Sequence, residues 1–329
     1  MENMVKNKNN FKNRTVFITG ASGFLGSHLT KRALSLGAKV VGLIKNETRS
    51  SSLFYAENLD KKINLVKGDI IDGSLINSIF KNNKIDFCFH IAAQPIVGIA
   101  NKSPLITFET NIKGTWNVLE ALRLSGGGAL VAASSDKAYG EQKVLPYKED
   151  YPLLGLYPYD ASKACADILN RCYAHTYNLP IAVTRCANLY GPGDTNFSRI
   201  IPDTILSVIN GRRPIIRSDG TPMRDYLYIE DAVNGYFTLI EALYLRKIGF
   251  GEAFNFGTGK PICVLDLVNK IIRISGKKMF PEILIKTKIA NEIDKQFLDS
   301  GKAKKLLKWQ CLFKLEDGLK KTYQWYLKH

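Results

Sequence analysis

The chain has no C-x-x-C pair, and its six cysteines, at 88, 165, 172, 186, 263 and 311, are scattered. That spacing excludes a cysteine-built metal knuckle or a disulfide framework, and predicts buried, reduced thiols. Histidine is scarce, four residues in 329, and dispersed. No metal site is therefore expected. No apolar run reaches the roughly 20 residues of a membrane helix. The longest, such as the one ending in Ile91-Ala92-Ala93, are strand-sized. The opening, Met1 to Asn10, is polar and rich in Asn and Lys. It lacks the apolar stretch of a secretory signal, so a cytoplasmic protein is expected. No internal repeat or low-complexity tract stands out.

What is present fits a globular protein. The length, 329 residues, is about two domains at roughly 150 residues each. Hydrophobic residues make up 45% and charged residues 23%, which excludes a disordered or fibrous chain. Forty-six Lys and Arg against thirty Asp and Glu give a formal charge of +16. The basic residues are evenly spread, with no stripe interleaved with aromatics, so nucleic acid is not the expected partner. The excess suits an anionic small substrate.

From residue 15 the chain alternates β-like and helix-like segments. Strands are predicted at 15–19, 39–44, 63–66, 86–92, 129–134 and 181–186. Helices are predicted at 24–37, 108–124 and 158–177. Buried-looking strands joined by helices predict an α/β fold, a Rossmann-type doubly wound parallel sheet with helices on both faces. After about 187 the alternation loosens around Gly191-Pro192-Gly193. We expect a dinucleotide-binding domain over 11–187, to which the chain returns near 225–262. A smaller C-terminal α/β substrate-binding region should cover 188–224 and 263–329, its last stretch made of helical pieces joined by 309–315.

The first strand runs into Gly20-Ala-Ser22-Gly23-Phe24-Leu25-Gly26, where a helix begins. Glycines at 20, 23 and 26 permit a tight turn, close approach to a pyrophosphate and close helix–strand packing. The helix start then offers free N–H groups to the phosphates. The spacing is G-x-x-G-x-x-G, and its place between a strand and a helix identifies a dinucleotide turn. At the end of the second strand an acid would bond the cofactor's ribose 2′-hydroxyl, and a base would suit a 2′-phosphate. The residues there are Lys45-Asn46-Glu47, with Arg49 beyond. The acid is missing from the strand end, so NAD and NADP both stay open. Asp69 and Ile70, at the end of the third strand, should lie near the adenine.

Tyr159 and Lys163 are four apart in a predicted helix and share a face. A lysine cation beside the phenol is expected to lower the tyrosine pKa. Such a tyrosine can take a proton from a sugar hydroxyl while hydride leaves the same carbon. Ser135 follows the fifth strand and can hydrogen-bond that hydroxyl. Asp136 and Lys137 stand beside it, at the strand end where open parallel sheets place their sites.

Together these motifs resemble the extended short-chain dehydrogenase/reductase superfamily. The resemblance rests on the glycine turn, His90-Ile-Ala-Ala-Gln94, Asn111 within TNIKGTWNVLEA, Ser135, Tyr159-x-x-x-Lys163 and Arg185-Cys-Ala-Asn188-Leu-Tyr-Gly-Pro192. It covers nearly the whole chain. SSDKAYG, PYDASKACAD, NFSRIIPDT and IIRSDGTPMRDYLYIED are similar to the CDP-glucose 4,6-dehydratases and their close relatives. Related dTDP-glucose and GDP-mannose enzymes differ at the pair occupied here by Asp136-Lys137. Epimerases of the superfamily usually lack an acid–base pair there.

The resemblance implies an NAD-dependent, redox-neutral elimination on a nucleoside-diphosphate hexose. Tyr159 would be the base at C4, Ser135 its hydrogen-bonding partner, and Lys163 the holder of the cofactor ribose. Asp136 matches the acid that protonates the departing C6 hydroxyl. Lys137 matches the C5 base, or else a phosphate or hydroxyl contact, because an ordinary lysine is protonated at neutral pH. Lys45, Ala92, Ala93, Gln94 and Asn111 would join the cofactor contacts, and Gln94 would also reach substrate. Asn188 and Arg224 would bind the diphosphate. Arg199 and Arg217 read equally as phosphate contacts or surface ion pairs. A homodimer pairing through helices 108–124 and 158–177 is implied as well. A nucleotide-sugar 4-epimerase, or a dehydratase acting on a GDP-, dTDP- or UDP-sugar, is the alternative.

Overall fold

The computed structural model describes residues 10–45, 52–285 and 293–329. Six strands follow the predicted positions: β1 (Thr15–Thr19), β2 (Lys39–Ile44), β3 (Asn64–Lys67), β4 (Phe87–His90), β5 (Ala129–Ala133) and β6 (Ile181–Cys186). A seventh, Glu252–Phe256, returns to the sheet beside β6. All seven are parallel, and the spatial order is Glu252–Phe256, β6, β5, β4, β1, β2, β3. The chain first builds outward from β1 through β2 to β3, then restarts on the other side at β4. The winding direction therefore reverses between β1 and β4, and a crevice opens beyond their carboxyl ends.

Side chains alternate across a strand, so a strand covered on both faces is apolar throughout. Phe87 and Phe89 face one core, together with Phe11, Phe237 and Tyr236. Cys88 faces the other, with Phe17, Ile76, Phe80 and Leu122. The run 86–92 is continuous in the sequence for that reason, although only Phe87–His90 is strand.

The first helix, Phe24–Ser35, ends at Gly37, whose φ of +77° closes the turn. The predicted helix 108–124 is not continuous. Pro104–Phe108 is α-helical, Glu109–Lys113 makes one wide π turn, and Gly114–Ser125 resumes the α-helix. The wide turn holds the buried Asn111, whose amide bonds other segments. Such bulges occur where a side chain is re-aimed. Helix Pro158–Tyr177 spans the predicted residues.

Beyond β6 the structure is built from short pairs. Asn188–Tyr190 lies beside Tyr226–Tyr228, and Met223–Arg224 sits between Ile262–Cys263 and Lys295–Gln296. Helix Leu315–Tyr326 closes the chain.

All six cysteines are free, but only Cys88 and Cys186 are buried, while Cys263 and Cys311 are half-buried. Cys165 and Cys172 are exposed. They are seven residues apart, so they share the outer face of helix Pro158–Tyr177. Among the described residues no helix is long and apolar enough to cross a membrane, and no three metal-ligating side chains cluster.

Candidate active site

A cleft of about 830 Å³ opens over the ends of β1, β4 and β5. Its wall begins at the glycine turn. Gly20 has φ +70°, and a Cβ there would lie 3.0 Å from Ala92 Cα. A Cβ on Gly26 would lie 2.1 Å from the Gly20 carbonyl oxygen. A side chain at either position would push apart the turn, the first helix or the 91–93 segment. Gly23 caps that helix with no side-chain hydrogen bond, which leaves the first N–H groups to a ligand. Ser22, Phe24 and Leu25 line the same wall, with Ala92 and Ala93 opposite. A shallow turn of this kind, with open N–H groups and no intruding Cβ, fits a pyrophosphate.

A polar chain that the sequence did not announce holds this wall. The Thr19 hydroxyl oxygen accepts the N–H groups of Ile91 and Ala92, both at 3.0 Å. Its proton then points to His90 Nδ1, 2.9 Å away. His90 Nε2–H in turn donates to Thr115 Oγ1 at 3.0 Å, and Thr115 donates to the Asn111 carbonyl at 2.6 Å. This network assigns the tautomer. Burial, with the Lys163 charge adding to it, keeps the ring neutral and lowers its pKa to about 3.

An unfolded histidine ionises near 6.5. The native ring cannot bind the proton that the unfolded chain takes up below that pH. Its stabilising contribution is therefore complete above pH ~6.5 and is lost as acid is added, at about 1.4 kcal/mol per pH unit. Asp160 and Asp231 are raised by burial to about 6 and act in the opposite sense over the same window. The informative measurement is the difference between the protein and His90→Gln. From pH 6.5 to 4.5 the variant should lose less stability than the parent in urea titrations. Parallel curves would mean that the ring ionises inside the fold.

The chemistry-bearing residues meet at the end of β5. Ser135 caps a single turn, Asp136–Tyr139, accepting the Lys137 N–H at 3.2 Å and donating to Asp136 Oδ1 at 3.1 Å. Asp136 is 2% exposed, and its Oδ2 has no hydrogen-bond partner among the described residues. Lys137 Nζ lies 3.4 Å from both Asp136 Oδ1 and Asn188 Oδ1, long contacts that leave it loosely held. Buried Gln296, from the far C-terminal region, donates to the Asp136 carbonyl at 3.1 Å.

Helix Pro158–Tyr177 brings Tyr159 and Lys163 to the cleft. Lys163 Nζ donates to the Ala133 carbonyl at 2.8 Å, and burial lowers its pKa to about 8. The expected lowering of Tyr159 by this lysine is overturned. Burial dominates and pushes the phenol up to about 12, and the largest opposing influence is the Arg199 charge, followed by a hydrogen bond with Ser135. The neighbouring Asp160 was not singled out in the sequence. Its carboxyl is raised mainly by burial, with Asp136 adding to the shift and Lys137 opposing it.

Most of the sequence-predicted residues gather around this cleft, including Lys45, Asp69, Ile70, Asn188 and Arg199. Four do not line it. Gln94 is folded back, with Oε1 accepting from Ile96 N at 2.6 Å and Nε2 donating to Ile96 O and Thr107. Asn111 is 2% exposed and braces Gln94 against Ser162, a support one layer behind the wall. Arg217 pairs with Asp203 at 3.2 Å on the surface. Arg224 donates to the carbonyls of Met223 and Asp294. Asn46, Glu47 and Arg49 lie outside the described residues.

The GDP-mannose 4,6 dehydratase family matches residues 17–322. A trifunctional UDP-glucose 4,6-dehydratase/UDP-4-keto-6-deoxy-D-glucose 3,5-epimerase/UDP-4-keto-L-rhamnose-reductase from Arabidopsis thaliana is 34% identical over 96% of this chain and 47% of its own length. The chain thus spans about half of that relative. The CDP-glucose 4,6-dehydratase of Salmonella typhimurium is 30% identical, covering 97% of this chain and 92% of its own. Among solved structures, dTDP-glucose 4,6-dehydratase from Bacillus anthracis, in complex with NAD, superposes with a TM-score of 0.84 at 27% identity, covering 96% and 97% of the two chains. UDP-glucose 4-epimerases from Oryza sativa are similar too, at 28–29% identity over 95% of this chain. With the doubly wound sheet, the glycine turn and this near-complete match in view, the chain belongs to the GDP-mannose 4,6 dehydratase family, within the short-chain dehydrogenase/reductase superfamily.

Proposed function

We propose that the protein is a nucleotide-sugar 4,6-dehydratase of the CDP-glucose type, converting a nucleoside-diphosphate hexose to its 4-keto-6-deoxy product. The observation that carries this reading is the Asp136–Lys137 pair beside Ser135 in the Tyr159 cleft. A 4-epimerase needs the serine, tyrosine and lysine but has no use for a second acid and base.

A nicotinamide dinucleotide held along the glycine turn at Gly20, Ser22, Gly23 and Gly26 would supply reversible hydride chemistry between the hexose C4 and C6. Tyr159, as its phenolate, takes the C4 hydroxyl proton, with Ser135 orienting that hydroxyl. Lys163, fixed by its hydrogen bond to the Ala133 carbonyl, would hold the cofactor ribose. The C4 ketone makes the C5 proton acidic. Lys137, in its neutral form, removes that proton, while Asp136, in its protonated form, gives one to the departing C6 hydroxyl. The buried, unpartnered Oδ2 of Asp136 is free for that donation. Asn188 and Arg199 reach the diphosphate, and Arg199 leaves its 3.1 Å contact with Asp194 to do so.

Incubation with CDP-, dTDP-, UDP- and GDP-hexoses tests the reading by product mass. Loss of one water from a sugar nucleotide is expected, with CDP-glucose the preferred substrate. An isomer of unchanged mass would establish the epimerase instead. Lys137→Ala should slow water loss by about 10²–10⁴-fold and abolish solvent-deuterium incorporation at C5. Undiminished dehydration in that variant would place the base elsewhere.

The same reading pairs two copies through helices Gly114–Ser125 and Pro158–Tyr177, where Trp116 and Ile168 are exposed. A light-scattering mass of one chain would remove the homodimer.

A further inference from the structure

Between strand Asn188–Tyr190 and helix Ile200–Ile209 the chain makes an irregular loop, 191–199, in which Asp194 and Arg199 line the cleft. The Asp194 side chain is 3% exposed. Its Oδ1 accepts the Asn196 N–H and its Oδ2 accepts the Arg199 guanidinium, both at 3.1 Å. The position of Asp194 therefore decides where the Arg199 cation rests. A loop held only by its own turns would let that cation wander.

The last helix, Leu315–Tyr326, supplies an outside support. Leu315, Leu319, Tyr323 and Tyr326 recur at three- and four-residue spacing and share one face. Gly318 brings that face close: a Cβ there would lie 2.3 Å from the Tyr190 hydroxyl oxygen. The Tyr190 O–H donates to the Leu315 carbonyl at 3.1 Å, just before the loop begins. At the far end of the helix the Tyr326 O–H donates to the Asp194 carbonyl. The Phe197 ring stands edge-on to the Tyr326 ring, with centroids 6.5 Å apart. A second support comes from the first helix, where His28 Nε2–H donates to the Pro192 carbonyl at 2.9 Å. Burial keeps that ring neutral and lowers its pKa to about 4.

Tyr326 does not line the cleft, so it can act there only through the loop. Arg199 is the link, because its charge acts on both phenols, Tyr159 and Tyr326.

We propose that Tyr326 is a positioning residue: by fixing Asp194 through its carbonyl, the C-terminal helix keeps Arg199 poised between the Tyr159 phenol and the incoming diphosphate. The inference rests on the reading of Arg199 as a diphosphate contact.

The test pairs calorimetry with pH–rate profiles on the full chain. CDP, UDP, dTDP and GDP are titrated into the protein, and the one that binds best is the probe. Tyr326→Phe removes one hydroxyl and should weaken the probe about two- to tenfold, the ordering cost of one loosened arginine. It should also move the rising limb of the pH–rate profile to higher pH, because a cation that strays from Tyr159 lowers its pKa less. Asp136 and Asp160 act on that phenol in the opposite sense, and the substitution leaves both in place. In an Arg199→Met background Tyr326→Phe should change neither readout further, since both substitutions act through one cation. Unchanged affinity, an unmoved limb, or full additivity with Arg199→Met overturns the proposal. If Tyr326→Phe does not fold by circular dichroism, Phe197→Ala loosens the same contact from a ring that is 41% exposed. It should shift both readouts in the same directions, and no shift overturns the proposal. If Arg199→Met weakens the probe and Tyr326→Phe does not, the role of Tyr326 alone falls. If Arg199→Met leaves the affinity unchanged, or a folded chain binds none of the four diphosphates, the reading of the site falls and takes this one with it.

Discussion

Asp167→Ala is expected to lower folding stability by about 3–5 kcal/mol, because it strands a buried charge. The side chains of Arg185 and Asp167 are both 0% exposed. The guanidinium donates to both carboxylate oxygens, Nε to Oδ2 at 2.8 Å and Nη2 to Oδ1 at 2.9 Å. Its third arm, Nη1, donates to the Tyr139 hydroxyl and the Glu149 carbonyl at 2.9 and 3.0 Å. With the carboxylate gone, the cation keeps its desolvation penalty and loses its principal acceptor. Replacing both partners, as in Asp167→Leu with Arg185→Met, should recover much of the loss, since the charge leaves with its partner.

The pair also has a bearing on function. Tyr139 closes the turn that carries Asp136 and Lys137, and it is bonded to Arg185 on one side and to Asn255 on the other. Arg185 is therefore a positioning residue. A double variant that folds should lose kcat more than it gains KM. Urea midpoints check the stability statement. A loss below about 1 kcal/mol for Asp167→Ala would mean that the guanidinium has found another acceptor or water.

The second large effect is on turnover. Tyr159→Phe should reduce it by about 10²–10⁴-fold, the range for losing a positioned proton acceptor, while dinucleotide affinity is retained. The glycine turn proposed to hold the pyrophosphate lies between β1 and the first helix, whereas Tyr159 is carried by helix Pro158–Tyr177. Burial pushes the phenol up to about 12, so it must be pulled down for use near neutral pH. Arg199 is the cation already pulling in that direction. Removing it with Arg199→Met should raise the phenol's pKa further and move the rising limb of the pH–rate profile to higher pH. Full activity in Tyr159→Phe would remove the tyrosine from the mechanism. An unmoved limb in Arg199→Met would remove the electrostatic link.

Local patterns carried the architecture. The apolar runs at 15–19, 39–44 and 181–186 became strands because a sheet covered on both faces demands apolar residues at every position. Tyr159 and Lys163 share a face because four residues make about one helical turn. What failed locally was continuity. The predicted helix 108–124 breaks at the wide turn of Asn111, where the buried amide bonds Gln94 and Ser162. Those partners are 17 and 51 residues away, and no window of sequence reveals such a demand.

The sequence by itself determined the doubly wound sheet, the glycine turn and which side chains crowd the end of β5, because each follows from periodicities of two or about four residues and from the conformational freedom of glycine. Only the tertiary structure decided which polar groups face the cleft and which are turned away, Gln94 onto its own backbone and Arg217 onto Asp203. It also set the direction of the Tyr159 shift. Burial and pairing depend on segments far apart in the chain. Desolvation and the partner's charge, neither of which is a local property, fix what a titratable side chain can do.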